Sequence, residues 1–526
     1  MATGPLHHNE LWETLVATAI LGTERRPFIQ LSAGGALGAA LEALDASQGE
    51  RALLEAAALV SAYRRAGTVP EVCAAQPGAP ESPDDDLPVC SPRAVAHLLA
   101  MLNGTHSVVL PEWLSALAAA GKRAPPSVLP EILEAGRTRS ALRPLIRAVS
   151  GARGRWLAAQ NPDWEYAAGA AAPAILADPA AVNAVWQTGS SAARRALLDT
   201  MRSVAPDSGR ALLESTWADE RAEDRVAFLQ CMETGLSMAD EPFLEGALDN
   251  RSKEVRTAAA GLLARLPEAR LVHRMIARLA PLLRRVPPER SWLPGLMQER
   301  AGSIDMTLPE MCDRAMVRDG VDTRESDGAS PKERAQWLHQ MLRGVPPAHW
   351  CACWNAAPAD LIAAAARSKW RDTILPAWIY AAWNTRDADW AEVLLRLDPS
   401  HTELLPLLSV ERQEALLLDL LAEGEGLPGL RRVTGLLRQT RHTWRPHFAR
   451  AVLAAVRKQI SNPLLPIDYG VHGALTDVAL RLPPDLLPEI VRDWRGLAMH
   501  EQWQGAIDRL LATLQFRSDM LQALRD

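Results

Sequence analysis

His349, Cys351 and Cys353 form the one compact cluster of metal-type ligands in the sequence. A structural zinc site wants four ligands in two separated knuckles. No C-x-x-C pair and no second knuckle accompanies this cluster, so it reads as thiols buried in a helix. Cys73, Cys90 and His97 are close in sequence but flank a Pro- and Asp-rich loop over residues 76–90. No H-E-x-x-H, G-x-S-x-G or G-x-x-x-x-G-K-[ST] occurs, and His500-Glu501 lacks a second His. Ser32 to Gly38 has phosphate-loop glycines but no preceding strand and no following Lys-Ser/Thr. The expectation is no catalytic residue, no bound metal and no cofactor.

What remains is the chemistry of recognition. Arg139, Arg143 and Arg147 recur every four residues, a spacing that stacks side chains on one helix face. Arg153 and Arg155 extend the stripe. Trp156 and Trp164 flank a corner where Asn161-Pro162 ends a helix. A second basic patch gathers Arg431, Arg432, Arg438, Arg441, His442, Arg445, Arg450, Arg457 and Lys458 around Trp444. Such a patch suits a phosphate backbone, an acidic partner, or carboxylates on neighbouring helices. Seven tryptophans crowd residues 337–390. They read as core packing or as a half-exposed groove, since indoles are favoured interface anchors. The candidate partner-binding residues are therefore Arg139, Arg143, Arg147, Trp156, Trp164, Trp350, Trp354, Trp370, Trp378, Arg438, Arg441 and Arg445.

The elements that must position these residues are helices. Between Ser190 and Leu283 the chain repeats itself: Leu198, Leu229 and Ala260 fall at equal steps, as do Met201, Met232 and Leu263, and Leu213, Leu244 and Met275. A fixed period of this size marks stacked helix pairs, none of which buries its apolar face alone. The third unit resembles a HEAT repeat. The pattern predicts an all-α, HEAT-like α-solenoid. It divides into an N-terminal helical region (1–189), the repeats (190–283), an irregular connector (284–330) and a Trp-rich helical region (331–526). Residues 76–90 and about 315–330 read as the mobile segments.

Composition agrees with helices. Apolar residues make up 48% of the chain, mostly Ala and Leu, with only 5 Phe and 4 Tyr, so strand formers are sparse. A net charge of −6 argues against a dedicated nucleic-acid binder. The six cysteines are irregularly spaced and imply no disulfide framework. No secretory leader and no membrane-spanning stretch is evident, so the expected compartment is the cytoplasm.

Three segments carry a family resemblance. They are Glu10 to Phe28, the Gly151-x-x-Gly154-x-Trp156-Leu157 stretch with Asn161-Pro162-x-Trp164, and Arg318-Asp319-Gly320-Val321 with Val345 to Trp350 downstream. They resemble an uncharacterised bacterial family of domains of unknown function. Members of that family are often encoded beside MoxR-type AAA+ ATPases, von Willebrand A proteins and SWIM zinc-finger proteins. The resemblance implies a protein partner of the AAA+ or von Willebrand A kind and transfers no catalytic residue. The expected role is a non-enzymatic scaffold or adaptor. The alternatives are a nucleic-acid-binding HEAT-like protein and an enzyme with an unrecognised site.

Overall fold

Helix starts in this chain are written by short polar caps. Ser91, Asp178, Ser190, Ser252, Ser330, Asp387 and Asp468 each accept a backbone N–H of the first turn. In the computed structural model 73% of residues are helical and 2% lie in strands, so the protein is all-α. The structure describes residues 8–66, 82, 87–168, 176, 178–287, 289–293, 296–300, 302–323, 328–423, 427–462, 468–497 and 500–526. Cys73, most of the 76–90 loop and residues 324–327 lie outside these. Two compact units divide the chain, Met1–Glu81 and Ser82–Asp526.

The first unit holds α1 (His8–Leu21), α2 (Gly35–Glu42) and α3 (Gly49–Ala66). Leu11, Leu15, Leu37, Leu41, Ala56 and Val60 form its core. Of the Ser32–Gly38 stretch, residues 32–34 lead into α2 and Gly35 to Gly38 form its first turn.

The second unit begins with α4 (Pro92–Leu102), α5 (Leu110–Ala119), α6 (Leu129–Thr138), α7 (Arg143–Val149) and α8 (Gly151–Ala159). Next come α9 (Pro179–Thr188) and three helix pairs. These are α10 (Ser191–Val204) with α11 (Pro206–Thr216), α12 (Ala222–Cys231) with α13 (Glu241–Ala247), and α14 (Lys253–Leu263) with α15 (Arg270–Leu279). The first helices of the pairs begin at residues 191, 222 and 253, steps of 31. They pack in succession, α10 on α12 and α12 on α14. Leu198, Leu229, Met232, Leu263, Leu213, Leu244 and Met275 are all buried there.

The following segment, expected to be irregular, contains paired strands. β1 (Leu283–Val286) pairs antiparallel with β4 (Ser303–Met306), and β2 (Glu289–Leu293) with β3 (Leu296–Arg300). A short helix, α16 (Arg314–Arg318), leads to the last series. That series is α17 (Pro331–Arg343), α18 (Pro347–Trp354), α19 (Pro358–Ala366), α20 (Arg371–Thr385), α21 (Ala388–Leu397), α22 (Val410–Glu423), α23 (Leu427–Leu437), α24 (Pro446–Ile460), α25 (Tyr469–Arg481), α26 (Leu487–Trp494) and α27 (Glu501–Arg525).

The last helix joins two cores. Trp503, Ile507, Leu510 and Leu514 of α27 belong to the core that runs through residues 182–514. Met520, Ala523 and Leu524, one turn further on, belong to the core of α4 to α8. Polar contacts fix the same junction. Arg517 is fully buried, forms a bidentate pair with Glu112 at 2.6 and 2.8 Å, and donates to the carbonyls of Ala479 and Leu482. Ser91 Oγ and Lys122 Nζ donate to the carbonyls of Ala523 and Leu524, satisfying acceptors that a helix end leaves open. Among the described residues no single helix is long and apolar enough to cross a membrane. The apolar pair α4–α5, bent by 117° at its break, buries Leu98, Trp113, Leu114 and Leu117 within the protein.

Leu229 is wholly buried between successive pairs. Leu229→Asp would place a charge in that core and is expected to cost about 3 kcal/mol or more. The check is urea or thermal unfolding, and an unchanged midpoint would put this residue at the surface.

Candidate functional site

Arg318, Asp319, Gly320 and Val321 close onto the second and third helix pairs. Asp319 is buried and receives Arg274 at 2.7 Å, Arg278 at 2.7 Å and Arg318 at 3.4 Å. Arg274 also pairs with Glu245 at 2.9 Å. Arg318 reaches Glu245 at 3.3 Å and Asp249 at 2.6 Å. Gly320 has φ of +93°, and a Cβ there would stand 3.2 Å from the Ala260 methyl. Only glycine adopts this backbone and lets the turn lie flat on α14. Within the segment of about 315–330 that was expected to be mobile, Arg318 and Asp319 thus take part in ion pairs centred on the buried carboxylates of Asp319 and Glu245.

The same network continues between the pairs. Arg202 and Asp240, both fully buried, meet at 2.8 Å, and Arg210 joins Asp240 at 3.0 Å. Arg270 pairs with Glu241 at 2.7 Å. Burial works to raise the pKa of Asp240. Hydrogen bonds from Arg202, the Ser237 N–H and Arg210 outweigh it and hold the carboxyl below its ordinary value. Glu241 is likewise lowered, first by its hydrogen bond from Arg270.

Beside the clasp lies a crevice of about 240 Å³ between α14, α15, α17 and α20. Thr257 and Gly261 line it from α14, Gln340 and Arg343 from α17, and Tyr380 from α20. Asn384 donates to the Gly261 carbonyl at 2.8 Å and ties α20 to α14. Lys253 pairs with Asp322 at 2.7 Å, and the Asp322 N–H donates to Gln340 Oε1. The Arg343 guanidinium lies 3.5 Å above the centre of the Tyr380 ring. Trp383 follows at a centroid distance of 5.8 Å and is 46% exposed.

The sequence-predicted residues scatter. Arg139 ends α6 with a non-helical backbone, and Arg143 and Arg147 lie on the separate helix α7. The three do not share one helix face, because the break at 139–142 intervenes. Arg143 instead donates to the Gly136 carbonyl and lies over Tyr166. Trp164 donates to Glu134 at 3.3 Å and Tyr166 to the Leu133 carbonyl at 2.8 Å. Burial pushes Tyr166 up to about 12. Trp156 is half-buried on α8. Its motif glycines have backbone reasons: Gly151 has φ of +65°, and a Cβ on Gly154 would strike Ser150 at 2.4 Å.

Trp350 and Trp378 correct the groove expectation. They are 3% and 0% exposed, with Trp337 and Trp390 buried beside them, so a partner cannot reach their faces. Trp354 and Trp370 are half-buried, and Trp354 packs on Trp350 at 5.0 Å as the four-residue spacing expects. Cys351 is half-buried and Cys353 exposed, so the two thiols do not share an interior. Among the described residues no group of three or more His, Cys, Asp or Glu is placed to hold a metal ion.

The C-terminal basic patch is largely neutralised from within. Arg438 pairs with Asp477 at 3.0 Å, Arg432 with Glu423 at 3.2 Å and Arg450 with Glu489 at 2.8 Å. Arg431 meets Asp468, and Arg445 meets Glu411. Arg441 stays exposed. The residues that sequence reading missed are Thr257, Arg343 and Tyr380. They lie on three helices far apart in the chain, and no local spacing could have linked them.

The model of one family, described as a family of unknown function (DUF5691), matches residues 14–524. No curated protein matches the chain.

The sign of the pH effect follows from Asp240. Its folded pKa lies below the ordinary 3.8, so its contribution is complete above that value. That contribution is lost as pH falls through the folded value. Asp240→Asn leaves Arg202 buried without its counter-charge and is expected to cost about 3–5 kcal/mol near neutral pH. In urea titrations the gap from the unaltered protein should narrow on acidification below about pH 4. A gap that stays constant with pH would refute the pairing.

Proposed function

The chain belongs to DUF5691, and from that premise we propose that it is a non-enzymatic interaction scaffold, a HEAT-like α-solenoid that holds another protein. The observation that carries this reading is the placement of charge. Charges between successive helix pairs are engaged with one another, while aromatic surface stands open at Trp383 beside the crevice. Helix pairs repeating every 31 residues and packed in order support the stacked arrangement. Such stacks present extended surfaces to partners. The internal neutralisation of the C-terminal arginines favours a protein partner over a phosphate backbone.

The partner that the family resemblance implies is an AAA+ ATPase or a von Willebrand A protein, met in the cytoplasm. The chain would act as its adaptor or substrate-presenting subunit. Trp383 is the first choice for an anchor, because tryptophan dominates interface hot spots at about 2 kcal/mol or more.

Co-expression with an AAA+ or von Willebrand A protein encoded beside the gene is expected to give one complex on size exclusion. Trp383→Ala should weaken it roughly 30-fold with helical content unchanged. Separate elution of the proteins, with binding of DNA or RNA that weakens steeply with salt, would favour the nucleic-acid reading instead.

A further inference from the structure

We propose that the crevice between α14, α17 and α20 is a carboxylate-binding site, with Arg343 as its anchor. The inference does not rest on the scaffold reading. Many arginines of the second unit meet carboxylates on neighbouring helices, and others, such as Arg143 and Arg225, lie over an aromatic ring while donating to a backbone carbonyl. Arg343 has the ring contact without a hydrogen-bonded acceptor among the described residues. It is half-buried, it lies over the Tyr380 ring, and among the described residues no carboxylate pairs with it. The guanidinium carbon lies 3.5 Å from the ring centroid, a contact that restrains the side chain. The N–H fork suits a planar two-oxygen acceptor.

Two hydroxyls, Thr257 and Tyr380, line the same crevice, and neither has a hydrogen-bond partner among the described residues. Arg343 and Tyr380 are half-buried in the crevice, and Thr257 stands at its exposed edge. The nearby acids are engaged elsewhere. Asp319 is held by Arg274, Arg278 and Arg318, and Asp322 by Lys253. Those acids also set the charge of the ligand. A dianionic phosphate would meet two carboxylates at the crevice edge, whereas a monoanion gains the fork with less repulsion. The apolar walls at Ala260, Leu271 and Met275 suit the carbon skeleton behind a carboxylate. A volume of about 240 Å³ admits a short acid or one acidic side chain.

The test uses the full chain and four probes at matched ionic strength. These are butyrate, its neutral isostere butyramide, a blocked glutamate peptide (acetyl-Glu-amide) and inorganic phosphate. Thermal shift and calorimetry are expected to show binding of butyrate, the blocked glutamate or both, and none of butyramide. Arg343→Met should weaken that binding about tenfold or more. Binding of the glutamate probe alone identifies the source as a protein side chain. Binding of butyrate as well identifies a free acid. If Arg343→Met fails to fold by circular dichroism, Thr257→Val serves in its place and should also weaken binding. Binding of neither carboxylate, equal binding by the variants, or tighter binding of inorganic phosphate than of either carboxylate would overturn the proposal.

Discussion

Arg202 has none of its side chain exposed, yet every one of its donors is engaged. Its guanidinium meets both oxygens of Asp240 and the carbonyls of Pro206, Met232, Thr234 and Gly235. A buried pair of this kind contributes little net stability, because desolvating two charges offsets most of their attraction. Its effect is on register. A helix pair slid along its neighbour by one turn would leave a guanidinium and a carboxylate buried and unpaired, which is costly. The backbone has been shaped to fit. Gly235 sits at φ of +63°, where a Cβ would stand 2.7 Å from the Arg202 carbonyl, and a Cβ on Gly209 would press the Arg202 stem at 3.0 Å. Apolar burial draws the pairs together, and the charge seam decides where they stop.

The seam then propagates. Asp240 closes one pair on the next, Glu241 and Glu245 reach Arg270 and Arg274 of the third, and Asp319 gathers Arg274, Arg278 and Arg318. The clasp thereby sets residues 318–322 at the crevice, while the wall carrying Gln340 and Arg343 is held by the packing of α17 on α15 and α20. Arg517 plays the same part at the far end. Its bond to Glu112 and the two carbonyls beyond seats α4 to α8 on the final helix, residues some four hundred positions apart in sequence.

Much of this was legible from residue types alone. Helicity followed from Ala, Leu and the polar caps, and the equal steps at Leu198, Leu229 and Ala260 marked helices that do begin at equal steps. Asn161-Pro162 marked the end of a helix, and α8 stops at Ala159. Periodicity could not tell a Trp facing the core from a Trp facing a groove, because both keep helical spacing; Trp350 and Trp378 turned inward. The Arg139–Arg147 stripe failed because a four-residue step presumes an unbroken helix. Clustered arginines in sequence looked like a basic surface, but Asp477, Glu423 and Glu489 come to them from other helices. Partners that arrive by tertiary packing leave no mark on local pattern, and the Thr257, Arg343 and Tyr380 set is the clearest case.

An acidic protein whose arginines are mostly matched at home offers an approaching molecule few strong handles. Exposed paired charges are already screened by their partners and by salt, so they discriminate weakly between ligands. Groups that remain unmatched and partly desolvated discriminate strongly, since the wrong ligand leaves them unsatisfied. In the second unit the crevice holds such groups, and it lies where the charge seam, the glycine turn and α20 meet. Its recognition chemistry and the register of the fold therefore share the same residues. Asp319, which the seam holds through Arg274 and Arg278, also lines the crevice, so the seam and the crevice meet in one carboxylate.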